Sequence, residues 1–221
     1  ELKNPLTSLR SAVETAEKVK DKEQIKKLMS IIQHDVQRLD RLITDISSAS
    51  RLDAELSRST LEKLDIGVLL QKIVDSHRLS LENKDDQKKL DLFIPKNQNL
   101  YILGIESRLA QVFDNIITNA LSFSPDGGTV SVKIADFGSV FTVTVDDEGP
   151  GIPDNNLETI FDRFYTERPR HEDYGSHSGL GLSISKQIIK AHGGKVYAQN
   201  RKHTDNTNKG ARFIVELNKA E

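Results

Sequence analysis

Cysteine is absent from the 221 residues, which excludes disulfides and thiolate metal sites and suits a reducing compartment. Absent too is any apolar run near the roughly 18–20 residues that a membrane-spanning helix needs. The opening Glu1-Leu2-Lys3-Asn4-Pro5 holds no apolar signal-peptide core, and no initiator methionine stands before it, so the chain reads as a piece of a longer protein. An excess of one charge is also missing. The 31 Lys and Arg stand against 33 Asp and Glu, a formal net charge of -2, so no strong field draws the chain to nucleic acid or anionic lipid. No internal repeat or low-complexity tract is visible. What remains is 36% hydrophobic and 29% charged residues, the balance of a globular protein with a solvated surface, in a length that suits two small domains.

The first domain reads as residues 1–58. Leu2, Leu6, Leu9, Val13 and Ala16 recur at steps of four and three. A charged stretch from Lys18 to Gln24 interrupts them, and the pattern resumes at Ile25, Leu28, Ile32, Val36, Leu39, Ile43 and Ile46. Each run keeps one narrow apolar seam on a helix, so the pair predicts an antiparallel helical hairpin. A lone hairpin would leave those seams wet, and pairing two into a dimeric four-helix bundle covers them. Pro5 predicts a kink or a start in the first helix, and Ser47 to Ser59 reads as a frayed end and linker.

The second domain reads as 61–221. Helices are expected over Val68–Leu81, Ser107–Phe123 and Leu180–Ala191. Strands are expected over Leu90–Ile94, Leu100–Leu103, Thr129–Ile134, Val140–Val145, Lys195–Gln199 and Ala211–Leu217. Antiparallel strands with three helices on one sheet face make an α/β sandwich, and with the hairpin the class is α+β.

Four clusters could carry chemistry. Asn115 and Asn119 lie four apart on one helix, which puts two carboxamides on one face. Such oxygens suit Mg²⁺ that already carries phosphates and waters. Asp147, Gly149 and Gly151 follow a strand directly, where an acid can accept from a ligand amino group and glycine allows close backbone approach; an ordinary strand-ending turn has the same composition. Gly179, Leu180 and Gly181 open a helix whose N–H groups and dipole would cradle phosphate. They do not begin a βαβ unit, so they are not the dinucleotide fingerprint. Phe161-Asp162-Arg163-Phe164-Tyr165 sits in a long polar stretch, where Phe161 and Phe164 could anchor a mobile lid over Asp154–Ser178 and Arg163 could reach a phosphate.

The order of these clusters resembles the bacterial sensor histidine kinases, within the ATPase superfamily that includes gyrase and MutL. Gln111 to Ala120 looks like the N box, Asp147 to Gly151 the G1 box, Phe161 to Phe164 the F box, Gly179 to Gly181 the G2 box, and Gly210-Ala211-Arg212-Phe213 the closing Gly-x-x-Phe. Glu1-Leu2-Lys3-Asn4-Pro5-Leu6 looks like the tail of the H box, His-Glu-Leu-Lys-Asn-Pro-Leu. More narrowly, Ser122 to Pro125, Arg163 to Thr166 and Ser178 to Ser185 resemble the ChvG/ExoS group. Two departures stand out: the motif's histidine, which would precede Glu1, is not in the sequence, and Ser122 stands where many members carry lysine. His34, His77, His171, His177, His192 and His203 do not fall in the motif and read as surface or structural residues.

The resemblance implies ATP with Mg²⁺ as cofactors. Asp147 would take the adenine amino group, Asn119 with Asn115 the metal, and Gly149, Gly151, Arg163, Gly179, Leu180 and Gly181 would line the nucleotide. Glu1 would accept the ring proton of the acceptor histidine, and Asn4 would orient a water for dephosphorylation of a response regulator. It implies a homodimer, a cognate response regulator as partner, and a cytoplasmic position in an inner-membrane parent. A non-kinase ATPase, an anti-sigma serine kinase or a non-catalytic ATP-binding scaffold are the alternatives.

Overall fold

Proline is tolerated only in the first turn of a helix, and α1 (Lys3–Ala16) begins so that Pro5 falls there. The computed structural model describes residues 3–16, 18, 19, 21, 23–33, 36, 39, 60–83, 86–96, 99–165, 179–202 and 208–220, with the backbone alone at 3–5, 202, 208 and 209. A second helix, α2 (23–33), is opened by Asp21. Its Oδ1 accepts the Glu23 N–H at 2.9 Å and its carbonyl accepts the Ile25 N–H at 3.0 Å, the geometry of an N-cap. The charged interruption is therefore a capped turn between two helices. Within the single chain Leu6, Val13, Met29, Ile31 and Val36 are each exposed by two fifths or more, while Ala12 is buried. The expectations for Ile43, Ile46 and Ser47–Ser59 lie outside the described residues.

Beyond residue 60 the order is β1 (Glu62–Asp65), α3 (Ile66–Asn83), β2 (Lys89–Phe93), β3 (Tyr101–Gly104), α4 (Glu106–Phe123), β4 (Thr129–Phe137), β5 (Val140–Asp146), α5 (Gly181–Ala191), β6 (Lys195–Lys202) and β7 (Asn208–Asn218), with two short 3-10 turns at Asp154–Asn156 and Thr159–Phe161. Asp65 caps α3 through its Oδ1, which accepts from Gly67 and Val68. β1 and β3 pair antiparallel as a small sheet, and the main sheet runs β2-β4-β5-β7-β6.

The apolar alternation works as expected. Val130, Val132 and Ile134 on β4, Val143 and Val145 on β5, and Phe213, Val215 and Leu217 on β7 join one core with α3, α4 and α5. The apolar residues that share one face of α4, Leu109, Val112, Phe113, Ile116, Ile117 and Ala120, are wholly buried. Two features differ from expectation. β2 pairs with β4 in parallel, because β3 and α4 lie between them and return the chain in the same direction, while alternation carries no strand polarity. β1 is too short for its pattern to be read; Leu64 is its one partly buried residue packed on the core.

His192, behind α5, is buried. Its Nε2 accepts the Ile105 N–H at 3.1 Å, so its Nδ1 carries the proton and donates to the Ile188 carbonyl at 2.7 Å. It ties α5 to the entry of α4, a structural role.

Candidate functional site

β5 and β7 are antiparallel up to Asp146 opposite Arg212. At the next pair the ladder changes. The Asp147 N–H still donates to the Ala211 carbonyl at 3.0 Å. The Ala211 N–H, however, donates to the Asp147 carboxylate, Oδ1, at 2.9 Å instead of to its carbonyl. The same oxygen accepts the Gly149 N–H at 2.9 Å, closing an Asx turn. The displaced carbonyl accepts Arg201 Nη1 at 2.6 Å. Asp147 shares its strand parity with Val143 and Val145, so the carboxylate stands on the core face of the sheet. Its Oδ2 has no hydrogen-bond partner among the described residues.

Two close approaches make this turn possible. A Cβ on Gly149 would lie 2.7 Å from the Phe123 carbonyl at the end of α4, and one on Gly210 (φ +128) would overlap the Asp147 carbonyl oxygen. Any side chain at either position would push the turn away from α4 or from β7. Burial drives the Asp147 pKa up from its ordinary 3.8. The N–H groups of Ala211 and Gly149 and the charge of Arg201 oppose that shift, and Asp146 adds to it.

Asp146 points to the other face of the sheet. Arg212 grips it bidentately at 2.6 and 2.7 Å, and Arg201 Nε stands 3.7 Å away. The pair raises the Arg212 pKa through its hydrogen bond and leaves Asp146 only 3% exposed.

Asn115 and Asn119 are both half-buried on α4. Asn115 Nδ2 donates to the Gly181 carbonyl at 3.2 Å, which couples α4 to the first residue of α5 and leaves the amide oxygen as the group it can offer. Phe123, beneath which the Gly149 turn is packed, lies one helical turn beyond Asn119. α5 starts at Gly181 with Leu180 as N-cap, and among the described residues that cap makes no side-chain hydrogen bond. Gly151 and Gly179 take left-handed φ values of 82 and 68.

Arg163 is exposed, and no hydrogen bond or ion pair among the described residues links it to the others. The aromatic foothold divides. Phe161 is buried edge-on to Phe213 with centroids 6.3 Å apart, whereas Phe164 is 42% exposed at φ 67. It is held by its N–H on the Gly179 carbonyl at 2.9 Å. The outer part of the expected lid, 166–178, lies outside the described residues, as do Glu1 and the side chain of Asn4. Sequence reasoning did not single out Asn200 or Arg201. Their signal is a register: both stand at the end of β6, opposite Ala211 and Gly210, and nothing in the linear pattern places them beside Asp147.

Residues 104–221, which hold all of these groups from Asn115 to Arg212, match the family described as histidine kinase-, DNA gyrase B- and HSP90-like ATPase. The chain belongs to that ATPase family. Residues 1–55 of this ATPase-family chain also match the His Kinase A phospho-acceptor domain. The chain is 47% identical over 222 residues to the sensor protein ChvG of Rhizobium meliloti, covering 98% of this chain and 38% of that protein. It is 45% identical over 226 residues to ChvG of Agrobacterium fabrum, covering 100% of this chain and again 38% of the relative. The narrower resemblance to the ChvG group rests on these identities, and the chain spans well under half the length of either relative. Among solved structures, histidine kinase ThkA in complex with response regulator protein TrrA matches 99% of this chain and 59% of that one, with a TM-score of 0.75 at 24% identity, a likeness of fold.

Proposed function

We propose that the chain is the core of a two-component sensor histidine kinase, which transfers the γ-phosphoryl group of ATP to a histidine and then to an aspartate of a response regulator. The observation that carries the reading is the carboxylate of Asp147. It is buried, anchored through one oxygen by two backbone N–H groups, and left with the other oxygen to meet a ligand. An adenine amino group suits that oxygen, and guanine, with a carbonyl there, does not.

The phosphates lie toward α5, where the backbone amides around Gly179, Leu180 and Gly181 receive them. Asn119 and Asn115 are the residues that would hold Mg²⁺. Their neutral oxygens fit a cation whose charge is balanced by phosphate, and no cluster of three or more His, Cys, Asp or Glu offers an alternative among the described residues. Bound there, the ion would supply charge neutralisation for the transferring phosphoryl group. In the transfer itself an imidazole nitrogen bonds to the γ-phosphorus, the bond to the bridging oxygen breaks, ADP leaves, and Glu1 takes the ring proton. Asn4 orients a water in the reverse, regulator-dephosphorylating direction.

The chain divides into a phosphotransfer and dimerisation hairpin, 1–58, and a nucleotide-binding domain, 61–221. In support of the division, one apolar core runs from Ile66 to Leu217. The hairpin pairs with a second copy through the apolar positions it exposes. The parent is an inner-membrane protein with this part in the cytoplasm; no described helix is long and apolar enough to cross a membrane. The match of residues 1–55 favours a histidine kinase over other ATPases of the family.

Two measurements test the reading: calorimetric titration of the chain with a non-hydrolysable Mg-ATP analogue, and incubation with γ-labelled ATP of a form carrying one histidine ahead of Glu1. Binding, with acid-labile and alkali-stable label on the extended form alone, is expected. Absence of binding at millimolar nucleotide refutes it.

A further inference from the structure

We propose that Asn200 is a positioning residue for the nucleotide: its carboxamide fixes the path of the turn from Asp147 to Asp154 and so the pose in which Asp147 meets a base. The proposal rests on the reading of the site as an ATP site.

Asn200 lies on β6 directly opposite Ala211 of β7, and Ala211 is the partner of Asp147. The three residues form one row across the sheet, and by strand parity their side chains share the core face. β6 is the edge strand, and among the described residues the chain beyond Gly151 joins it in no strand ladder. Asn200 serves in place of one. Its Oδ1 accepts the Ile152 N–H at 2.7 Å, and its Nδ2 donates to the Ile152 carbonyl at 2.6 Å and to Asp154 Oδ1 at 3.0 Å. One side chain thus satisfies both backbone groups of a residue 48 positions away, as a strand partner would.

The turn is therefore clamped twice. Asp147 Oδ1 holds Gly149, and Asn200 holds Ile152. Only Pro150, with a fixed φ and no N–H, and Gly151 lie between the clamps, so little freedom is left to the segment beside the carboxylate. Asparagine is specific to the task. Aspartate has no donor for the Ile152 carbonyl and would repel Asp154, alanine has neither function, and glutamine is one methylene too long.

Arg201, next along the strand, faces the opposite side and completes the arrangement. It reaches the Asp147 carbonyl from β6, at the level where Gly210, its partner in β7, presents no side chain.

The test is calorimetry with a non-hydrolysable ATP analogue and its guanine counterpart, well below Tm, on the full chain and three variants, with thermal melts alongside. Asn200→Ala is expected to weaken the adenine nucleotide about tenfold, the size of one or two net hydrogen bonds, and to narrow its preference over guanine. Asn200→Asp is expected to bind more weakly than the parent chain. Adding Asp154→Asn to it moves a donor to position 154 and removes the repulsion, so part of the affinity returns. A staple of the loop with no bearing on the nucleotide would lower Tm and leave both affinities within twofold of the parent chain in all three variants, and that result overturns the proposal. Failure of the unmutated chain to bind either nucleotide overturns the ATP reading, and this inference with it.

Discussion

Replacing Asp147 by asparagine removes a charge and keeps the shape. Oδ1 of the amide can still accept from Gly149 and Ala211, the two bonds that fold the turn, so the backbone is expected to stay in place. The change falls on Oδ2, where an NH₂ group would face the amino group of adenine. Loss of a charge-assisted hydrogen bond costs about 1.5–3 kcal/mol, which is about 10- to 150-fold in affinity. Stability should move the other way. Burial raises the Asp147 pKa in the folded protein above the ordinary 3.8, so the folded state keeps its proton where the unfolded chain has released it. The stability associated with this group is fully present below pH 3.8 and is lost as pH rises through the folded-state value. At neutral pH the ionised carboxylate is thus a cost, and Asp147→Asn is expected to melt at the same temperature as the parent chain or higher. The gap should close as the pH is lowered toward 3.8. Calorimetry with a non-hydrolysable Mg-ATP analogue at pH 7.5 and melts across pH 4 to 8 make the assay. Unchanged affinity removes Asp147 from base recognition. A clear fall in Tm at neutral pH would mean that the charge serves the fold as a counter-ion to Arg201.

Other outcomes follow from the same geometry. Nucleotide affinity in the parent chain should weaken on acidification at a higher pH than an ordinary carboxylate would dictate, and Asp147→Asn should flatten that dependence in titrations at successive pH values. Arg212→Ala leaves Asp146 buried with only the longer Arg201 contact, which should cost about 3 kcal/mol in chemical denaturation, the low end for breaking a buried pair. Gly210→Ala puts a methyl group into the Asp147 carbonyl, so it should abolish nucleotide binding and lower Tm by several degrees. Val13→Asp, on the exposed side of α1, should convert a sedimenting dimer into a monomer at tens of micromolar without changing nucleotide affinity.

Much of the fold was legible because burial imposes a period. The inward residues of α4 and the alternating valines of β4 and β5 follow it, while Pro5, with its own backbone limits, marked the first turn of α1. The direction of β2 relative to β4 was not legible, since a strand buries the same residues whichever way its neighbour runs. Asp147 and the two asparagines stood out because a strand end and an i, i+4 pair are local patterns. Asn200 and Arg201 act across the sheet, 48 and 54 positions from their partners, and nothing short of the β6–β7 register brings them to the site. Phe164 also shows the limit of composition. Its aromatic ring suggested an anchor, yet its backbone takes the left-handed turn that lets its N–H close on Gly179, and the ring is left half in water.

The Phe164 to Gly179 bond has a practical meaning for protein engineers. It joins the two ends of the intervening segment, and Phe161 fastens the near end to Phe213. The span is thus set by the scaffold and does not depend on how much chain is threaded between its ends. Doubling the length of a loop whose ends are held costs only about 0.6 kcal/mol. A guest peptide between these two residues, such as a protease recognition site or a fluorophore attachment point, should leave the melting temperature nearly unchanged.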